Sequence, residues 1–300
     1  MEEMAAIRAR TDAHTHQSLD SPVNTASIVS VLCEALVKLS RGVLLEEMAA
    51  NFWTSTQHTR WLNADVNNLH PDDGAMTQSE LKRLKLRHTH AIQQLGQRLQ
   101  LPQRVTATAI IYFRRFYVRR SYTVRENDPH LMIPTCLYLA SKMEECPVRA
   151  SVIVLCTSDL GLQRDGYPYT GEHVLANEFR LLEGLQFYLV VFHPYDELPA
   201  LVRDAGLEDL LDEAWSAVND SYGTDLLLLH PPHVVALACV LLVASMHGRE
   251  QQLIDWFSGL DVDLKEVGDA AAVLLDMYTL WSETGSSTIE QLMVKFWRRS

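Results

Sequence analysis

The chain contains 300 residues, of which 47% are hydrophobic and 21% are charged, with 13 glycines and 11 prolines. This composition excludes an intrinsically disordered or collagen-like chain, and the length predicts about two domains of roughly 150 residues each. The 38 acidic residues outnumber the 26 lysines and arginines, and the resulting net charge of −12 repels phosphate groups. Nucleic acid is therefore not expected to be the primary ligand.

Cysteine usage and hydropathy predict an intracellular chain that does not enter a membrane. The cysteines form an odd set without a C-x-x-C pair, which favours a reducing compartment over disulfides or a zinc module: Cys33, Cys136, Cys146, Cys156 and Cys239. The opening residues MEEMAAIRAR carry acids where a signal peptide requires basic residues. The longest apolar run, from Val234 to Met246, has 13 residues. Spanning a membrane takes about 20 residues, so we interpret this run as a buried helix.

Apolar residues recur at helical spacing along most of the chain, which predicts an all-α fold. The predicted helices cover, in chain order, residues 78–99, 102–119, 129–145, 149–159, 171–186, 194–205, 208–222, 225–229, 232–247, 251–258 and 264–283. Asp128 before Pro129 is typical of a helix start, and Gly206 and Gly259 are typical of helix ends.

Two of these predicted helices form an internal repeat. The segment PHLMIPTCLYLASKM, from Pro129, aligns with PHVVALACVLLVASM, from Pro232, at an offset of 103 residues and with five identical positions. The copies differ at their ends, where Lys142 in ASKMEE corresponds to Ser245. Packing explains the shared positions, so the unshared lysine and acids indicate that binding chemistry lies on the first domain.

The motif search predicts no catalytic residue, no metal site and no cofactor. GLQRDG at 161–166 has the spacing of a P-loop but continues with Tyr-Pro instead of Lys and Ser or Thr. His88 and His90 are two residues apart and lie on different sides of a helix. The basic run RRFYVRR at 114–120 is interpreted as a helix end whose arginines complement the helix dipole, with aromatic residues at core spacing.

Lys142 and Glu178 are the candidate binding residues. Glu178 lies in VLANEFRLLEGLQF, a helix in which four apolar residues are expected to face inward: Leu175, Phe179, Leu182 and Leu185. A lysine and a glutamate on neighbouring helices can bracket the exposed backbone ends of a partner helix. In the alternative interpretation, Lys142 with Glu144 and Glu145 is an ordinary solvated helix end.

At these residues the chain resembles a cyclin, and longer segments are similar to the cyclin C family. They are NFWTSTQHTRWL at Asn51, ATAIIYFRRFYVRRS at Ala107, DPHLMIPTCLYLASKMEE at Asp128, VVFHPYDEL at Val190, AWSAVNDSYGTDL at Ala214 and WFSGLDVDL at Trp256. The resemblance implies an all-α fold of two tandem five-helix cyclin boxes with an additional N-terminal helix. It places that helix and the first box at 48–190, the second box at 191–283 and a C-terminal tail at 284–300. For residues 1–47 two alternatives stay open, a helical extension or a stretch that is not translated.

The resemblance implies a nuclear regulatory subunit of the Mediator kinase module, without catalysis of its own. It would bind the Mediator-associated cyclin-dependent kinase and regulate transcription by RNA polymerase II. Lys142 and Glu178 match the cyclin positions that hydrogen-bond around the kinase C helix. Phe52, Trp53 and Trp61 match an N-terminal helix that adds kinase contact, although packing against the first box is an equally good interpretation of these three residues.

The resemblance also implies a groove between the boxes that contacts another Mediator kinase-module subunit. The matching residues are Glu144, Glu145, Asn219, Asp220 and Tyr222, whose acids would suit a basic segment. Two other functions remain as alternatives. One is a transcriptional cyclin of the H, K, L or T kind, and the other is a DNA-binding protein like transcription factor IIB, against which the acidic balance argues.

Overall fold

Helices provide all the regular secondary structure of residues 51–62, 76–123, 127–160, 167–283 and 286–297, which the computed structural model describes. This result confirms the all-α prediction for that part of the chain. The described residues belong to one unit, Leu39–Ser300. The alternatives for residues 1–47 lie outside the described residues.

The first helical bundle has its third helix at the centre. Its helices are α1 (Gln78–Arg98), α2 (Gln103–Arg119), α3 (Pro129–Met143), α4 (Ala150–Ser158) and α5 (Gly171–Gly184). Helix α3 packs against the other four. As predicted, Asp128 caps α3, because its carboxylate accepts a hydrogen bond from the backbone N–H of His130 at 2.9 Å.

The second bundle repeats this arrangement around its own central helix. After a 3-10 turn at Pro194–Asp196 come α6 (Leu198–Asp204), a 3-10 turn at Glu208–Leu210, α7 (Leu211–Ser221), α8 (Leu226–Leu229), α9 (Pro232–Met246), α10 (Glu250–Ser258) and α11 (Leu264–Glu283). The helices predicted at 194–205 and 208–222 thus each begin with a 3-10 turn. Helix α9 packs against α6, α7, α10 and α11, so the two copies of the internal repeat occupy equivalent central positions.

The N-terminal helix consists of a 3-10 turn at Phe52–Thr54 and a π-helical turn at Gln57–Trp61. The Gln57 side-chain amide fixes it to the segment between the bundles, donating to the Phe192 carbonyl at 3.3 Å and accepting from the Phe192 N–H at 2.6 Å. Trp61 is buried beneath the guanidinium groups of Arg115 and Arg119, which lie 5.3 and 4.9 Å from its ring.

Two arginines of the basic run RRFYVRR join the bundles. The aromatic residues of this run, Phe116 and Tyr117, are buried as predicted. Arg114, which is 6% exposed, donates to the Tyr222 carbonyl at 2.9 Å, to Asp225 at 2.6 Å and to Thr89 at 3.2 Å. Arg115 donates to the carbonyl of Val190, between the bundles, at 3.1 Å. These arginines therefore hold interior backbone groups, a role beyond complementing the helix dipole.

The C-terminal tail, to which the sequence assigned no structure, contains helix α12 (Ser286–Trp297). This helix packs on α1 of the first bundle. Lys295 Nζ lies 2.7 Å from a carboxylate oxygen of Glu80, and the Phe296 ring contacts the rings of His88 and Tyr122. The chain thus returns to its first bundle after completing the second.

Candidate functional site

The exposed apolar residues and the polar residues singled out by the sequence form the candidate binding surfaces. Within the ranges that the structure describes, no group of three or more His, Cys, Asp or Glu side chains could hold a metal ion. None of the helices there is long and apolar enough to cross a membrane.

Lys142 and Glu178 form an ion pair between the end of α3 and the middle of α5. The Glu178 side chain is buried, with 4% of its surface exposed, and Lys142 is 19% exposed. The Lys142 ammonium also lies 4.6 Å from the ring centre of Tyr138. Because a buried carboxylate needs a charged partner, this pairing explains how α5 tolerates a glutamate on its inward face. Lys142 is thus not an ordinary solvated helix end.

Exposed apolar side chains cover the neighbouring surface of α4 and α5, which we call the α4–α5 face. They are Val152 and Leu155 of α4, Leu175 and Phe179 of α5, and Phe187 just after α5, exposed by 41, 66, 38, 52 and 45%. The expectation that Leu175 and Phe179 face inward is wrong, because the inward face of α5 is centred on Val174, Glu178 and Leu181. Leu182 and Leu185 are buried as expected. Large exposed apolar side chains close together are typical of a protein interface.

The three N-terminal aromatic residues differ in their surroundings. The Phe52 ring lies 5.8 Å from that of Phe192, between the bundles. Trp53 is 55% exposed, and its ring lies 5.7 Å from that of His233 at the start of α9. Trp61 is 1% exposed, which favours packing against the first bundle for this residue. Trp53 and part of Phe52 are accessible to a partner.

A hydrogen-bonded chain crosses the junction between the bundles from Glu144 to Tyr222. Glu144 accepts from the Thr108 hydroxyl at 2.7 Å and pairs with Arg104 at 3.2 Å. The single hydroxyl proton of Thr108 goes to Glu144, so His193 Nε2 must donate the hydrogen bond to Thr108, at 2.9 Å. The other ring nitrogen of His193, Nδ1, therefore accepts a hydrogen bond from the Tyr222 hydroxyl at 2.6 Å. Burial lowers the pKa of His193 to about 3, so the imidazole is neutral as this arrangement requires.

The other predicted groove residues lie around this chain. Asn219 accepts from the Tyr195 hydroxyl at 2.8 Å, and the Tyr195 ring stacks between Tyr222 and Trp215 at centroid distances of 5.7 and 4.9 Å. Trp215 is 36% exposed and was missed, although it precedes Asn219 by one helical turn. The structure thus brings Glu144, Asn219 and Tyr222 together, with Tyr222 buried.

The two remaining groove residues, Asp220 and Glu145, differ in their surroundings. Asp220 accepts a hydrogen bond from the Tyr278 hydroxyl on α11 at 2.8 Å, and burial raises the pKa of its carboxyl. Glu145 is exposed just after α3.

Comparison with known proteins is consistent with both the fold and the sequence resemblance. The cyclin N-terminal domain matches residues 57–190. Cyclin-C1-1 of Oryza sativa subsp. japonica is 41% identical over 234 residues, covering 77% of this chain and 90% of the relative. A chain in the CAK complex from Chaetomium thermophilum bound to ATP-gamma-S has a TM-score of 0.63 and 20% identity, covering 83% of this chain and 89% of that one. A chain of the yeast RNA Pol II CTD kinase CTDK-1 complex has a TM-score of 0.56 and 19% identity, covering 68% of this chain and 67% of that one.

Proposed function

Because the chain belongs to the cyclin C family, we propose that it binds and activates the Mediator-associated cyclin-dependent kinase in the nucleus and so regulates transcription by RNA polymerase II. As a cyclin it is a regulatory subunit of a kinase and not an enzyme itself. The kinase named in the CTDK-1 complex acts on RNA polymerase II, which supports a transcriptional role for a chain of the same fold.

The observation that carries this proposal is the Lys142–Glu178 pair beside the exposed α4–α5 face. The buried Glu178 carboxylate holds the Lys142 ammonium in place, and the ammonium has further N–H groups to donate. Carbonyls at the end of a partner helix lack intrahelical donors and suit this ammonium. Apolar side chains such as Leu155 and Phe179 would pack against the flank of the same kinase helix.

Activation follows as a population shift in the kinase. A rigid platform that binds the inward position of the kinase C helix more tightly than the outward one favours the inward state by that difference in affinity. The inward helix brings its glutamate to the catalytic lysine, which phosphoryl transfer requires. In this proposal Trp53 and Phe52 add contact with the kinase, and the buried Trp61 positions the segment that carries them.

We place a second subunit of the Mediator kinase module at the junction groove. Glu144 and Glu145 would attract a basic segment, and exposed Trp215 provides a ring on which an arginine can stack. Asn219, Asp220 and Tyr222 complete the groove in this proposal, with Tyr222 acting from beneath through His193 and Tyr195.

The kinase proposal is tested by affinity purification of the tagged chain from nuclear extract. Phe179→Asp places a charge on the α4–α5 face, and Ile254→Asp is the matched control, because Ile254 is 56% exposed on the second bundle. We expect at least tenfold less kinase with Phe179→Asp and with Lys142→Ala, and wild-type recovery with Ile254→Asp. Wild-type recovery by both Phe179→Asp and Lys142→Ala would contradict the proposed surface.

The identity of the captured kinase separates the alternatives. Recovery of a different polymerase-tail kinase would favour a cyclin of the H, K, L or T kind. Binding to duplex DNA that falls steeply with salt would favour the protein like transcription factor IIB. For the groove, Trp215→Ala should lower recovery of the Mediator kinase-module subunit that binds there, while the kinase is retained. Equal loss of the kinase and of that subunit would contradict a separate groove contact.

A further inference from the structure

In helix α12 (Ser286–Trp297), few of the side chains that the structure describes are buried. Among its described side chains, Leu292 and Phe296 are buried, with 7 and 3% of their surfaces exposed. These residues are four apart and share one face of the helix. Glu290, Gln291, Val294 and Lys295 are exposed. The helix therefore rests on the surface of the bundle instead of forming part of its interior.

We call the part of the first bundle that contacts α12 the slot. Its walls are the rings of Tyr122 and His88, whose centres lie 5.5 and 6.2 Å from that of Phe296. At its rim the two carboxylate oxygens of Glu80 lie 2.7 and 2.8 Å from Lys295 Nζ. The slot thus matches one apolar face and one cation of the helix that fills it.

Polar groups form part of this slot. His88 Nδ1 and the Tyr122 hydroxyl form a hydrogen bond, whereas the buried Nε2 atom of His88 has no hydrogen-bond partner among the described residues. A buried polar atom without a partner costs free energy in the folded protein. A segment with few buried apolar contacts opens at lower free energy than the bundle to which it is attached.

We propose that α12 is a detachable latch that occupies in cis a helix-binding slot on the first bundle. Once α12 has left, the slot can bind an amphipathic helix of another molecule that has the same Leu-x-x-Lys-Phe pattern. While α12 is in place, the slot cannot bind that helix. The pattern is that of Leu292, Lys295 and Phe296, and the acid at the rim selects a basic partner helix. This latch lies on α1, whereas the proposed kinase contact lies on α4 and α5.

The test uses a fluorescent peptide of residues 286–300 added to the full-length chain. We expect fluorescence anisotropy to show at least tenfold tighter binding to Phe296→Ala than to wild type, because the variant's own latch is weakened. A peptide that carries alanine at the position of Phe296 should bind to the Phe296→Ala protein at least tenfold more weakly than the unchanged peptide does. Equal binding to both proteins, or equal binding of both peptides, would overturn the proposal.

A second variant keeps the test valid if Phe296→Ala loses its fold. Lys295→Glu opposes Glu80 at the rim, and Lys265→Glu makes the same change of charge at an exposed position of α11. By native-state hydrogen exchange we expect the α12 amides to exchange at least tenfold faster in Lys295→Glu than in Lys265→Glu, with α3 unchanged. Exchange of α12 and α3 at one common rate in all proteins would show that no separate latch exists.

Discussion

The interiors of the two bundles differ in polarity although their central helices are copies of one repeat. In the first bundle the described buried residues include His88, Asp128, His130 and Glu178, whereas Ser221 is the buried polar residue described in the second. Helix α5 turns Glu178 toward α3, but α11 turns Val267, Ala270 and Leu274 inward. The second bundle is thus held by apolar packing, which needs no partner groups, whereas the first depends on paired polar groups that fix particular side chains in place.

The difference in polarity between the two interiors indicates where a helical scaffold can acquire a binding site. Lys142 of α3 and Ser245 of α9 occupy equivalent positions, but only Lys142 faces a buried carboxylate. The polar interior holds the lysine at the edge of the exposed α4–α5 face. The comparison can be tested by substitutions in each bundle and at the junction between them.

Removal of Arg114 should have the largest effect, because this residue joins the two interiors. Arg114→Ala leaves the Tyr222 carbonyl, Asp225 and Thr89 without their buried donor. We expect a loss of about 3–5 kcal/mol in the free energy of unfolding. Urea unfolding measures it, with Arg120→Ala as control, because that side chain is 40% exposed. An equal small effect of both variants would show that the junction does not stabilise the protein.

Matched glycine substitutions compare the close packing of the two bundles. A Cβ atom at Gly184 of α5 would overlap the Phe116 ring, whereas one at Gly268 of α11 meets no atom within 4 Å. Gly184→Ala should therefore cost about 1–3 kcal/mol of stability through overpacking. Gly268→Ala should stabilise the protein by about 0.5–1 kcal/mol, because alanine restricts the unfolded chain more. Effects of the same sign in thermal unfolding would contradict the comparison.

Acid should destabilise the protein through the buried histidines of the first bundle and the junction. Burial lowers the pKa of His193 from 6.5 to about 3 and lowers that of His88 well below 6.5. Below pH 6.5 the unfolded chain therefore binds more protons, and stability falls as pH decreases by up to about 1.4 kcal/mol per unit for each histidine.

Urea unfolding at pH 7.5, 6.0 and 5.0 tests this dependence. His193→Gln should remove about half of the slope that the two histidines produce together. A free energy of unfolding that is constant between pH 7.5 and 5.0 would contradict the prediction.

The smallest effect concerns a proline present in only one copy of the repeat. Pro134 of α3 corresponds to Leu237 of α9 and has no N–H to donate to the His130 carbonyl one turn earlier. The Tyr167 hydroxyl donates to that carbonyl at 2.7 Å instead. Tyr167→Phe should therefore cost about 1 kcal/mol. In a Pro134→Ala background the cost should shrink, and a double-mutant cycle without coupling would contradict this account.

Much of the fold could be predicted because helix periodicity and capping are local properties. Asp128, Pro129 and Gly206 lie where the helix starts and ends were predicted, and Gly206 adopts the left-handed backbone conformation with φ +66°. The repeat also identified both central helices. The two turns at 52–61 and the helix in the tail were not predicted. The turns contain few residues each, and the tail helix is stabilised by contact with α1.

The candidate site was predictable only in part. Residue types and the difference between repeat copies pointed to Lys142, and the helical pattern pointed to Glu178. The exposure of Leu175 and Phe179 was not predicted, because an amphipathic pattern identifies an apolar stripe but not how much of it the neighbouring helices cover. Likewise, the sequence did not predict a role for Trp215, whose ring stacks against that of Tyr195.

The helical elements, the repeat, the family and Lys142 as a candidate binding residue could all be predicted from residue types and their spacing along the chain. Tertiary structure alone decided that Lys142 pairs with Glu178, that Arg114 joins the bundles and that α12 returns to α1. Such contacts join residues far apart in sequence. Their formation depends on how whole helices pack, because burial and hydrogen-bond partners are properties of the assembled bundles.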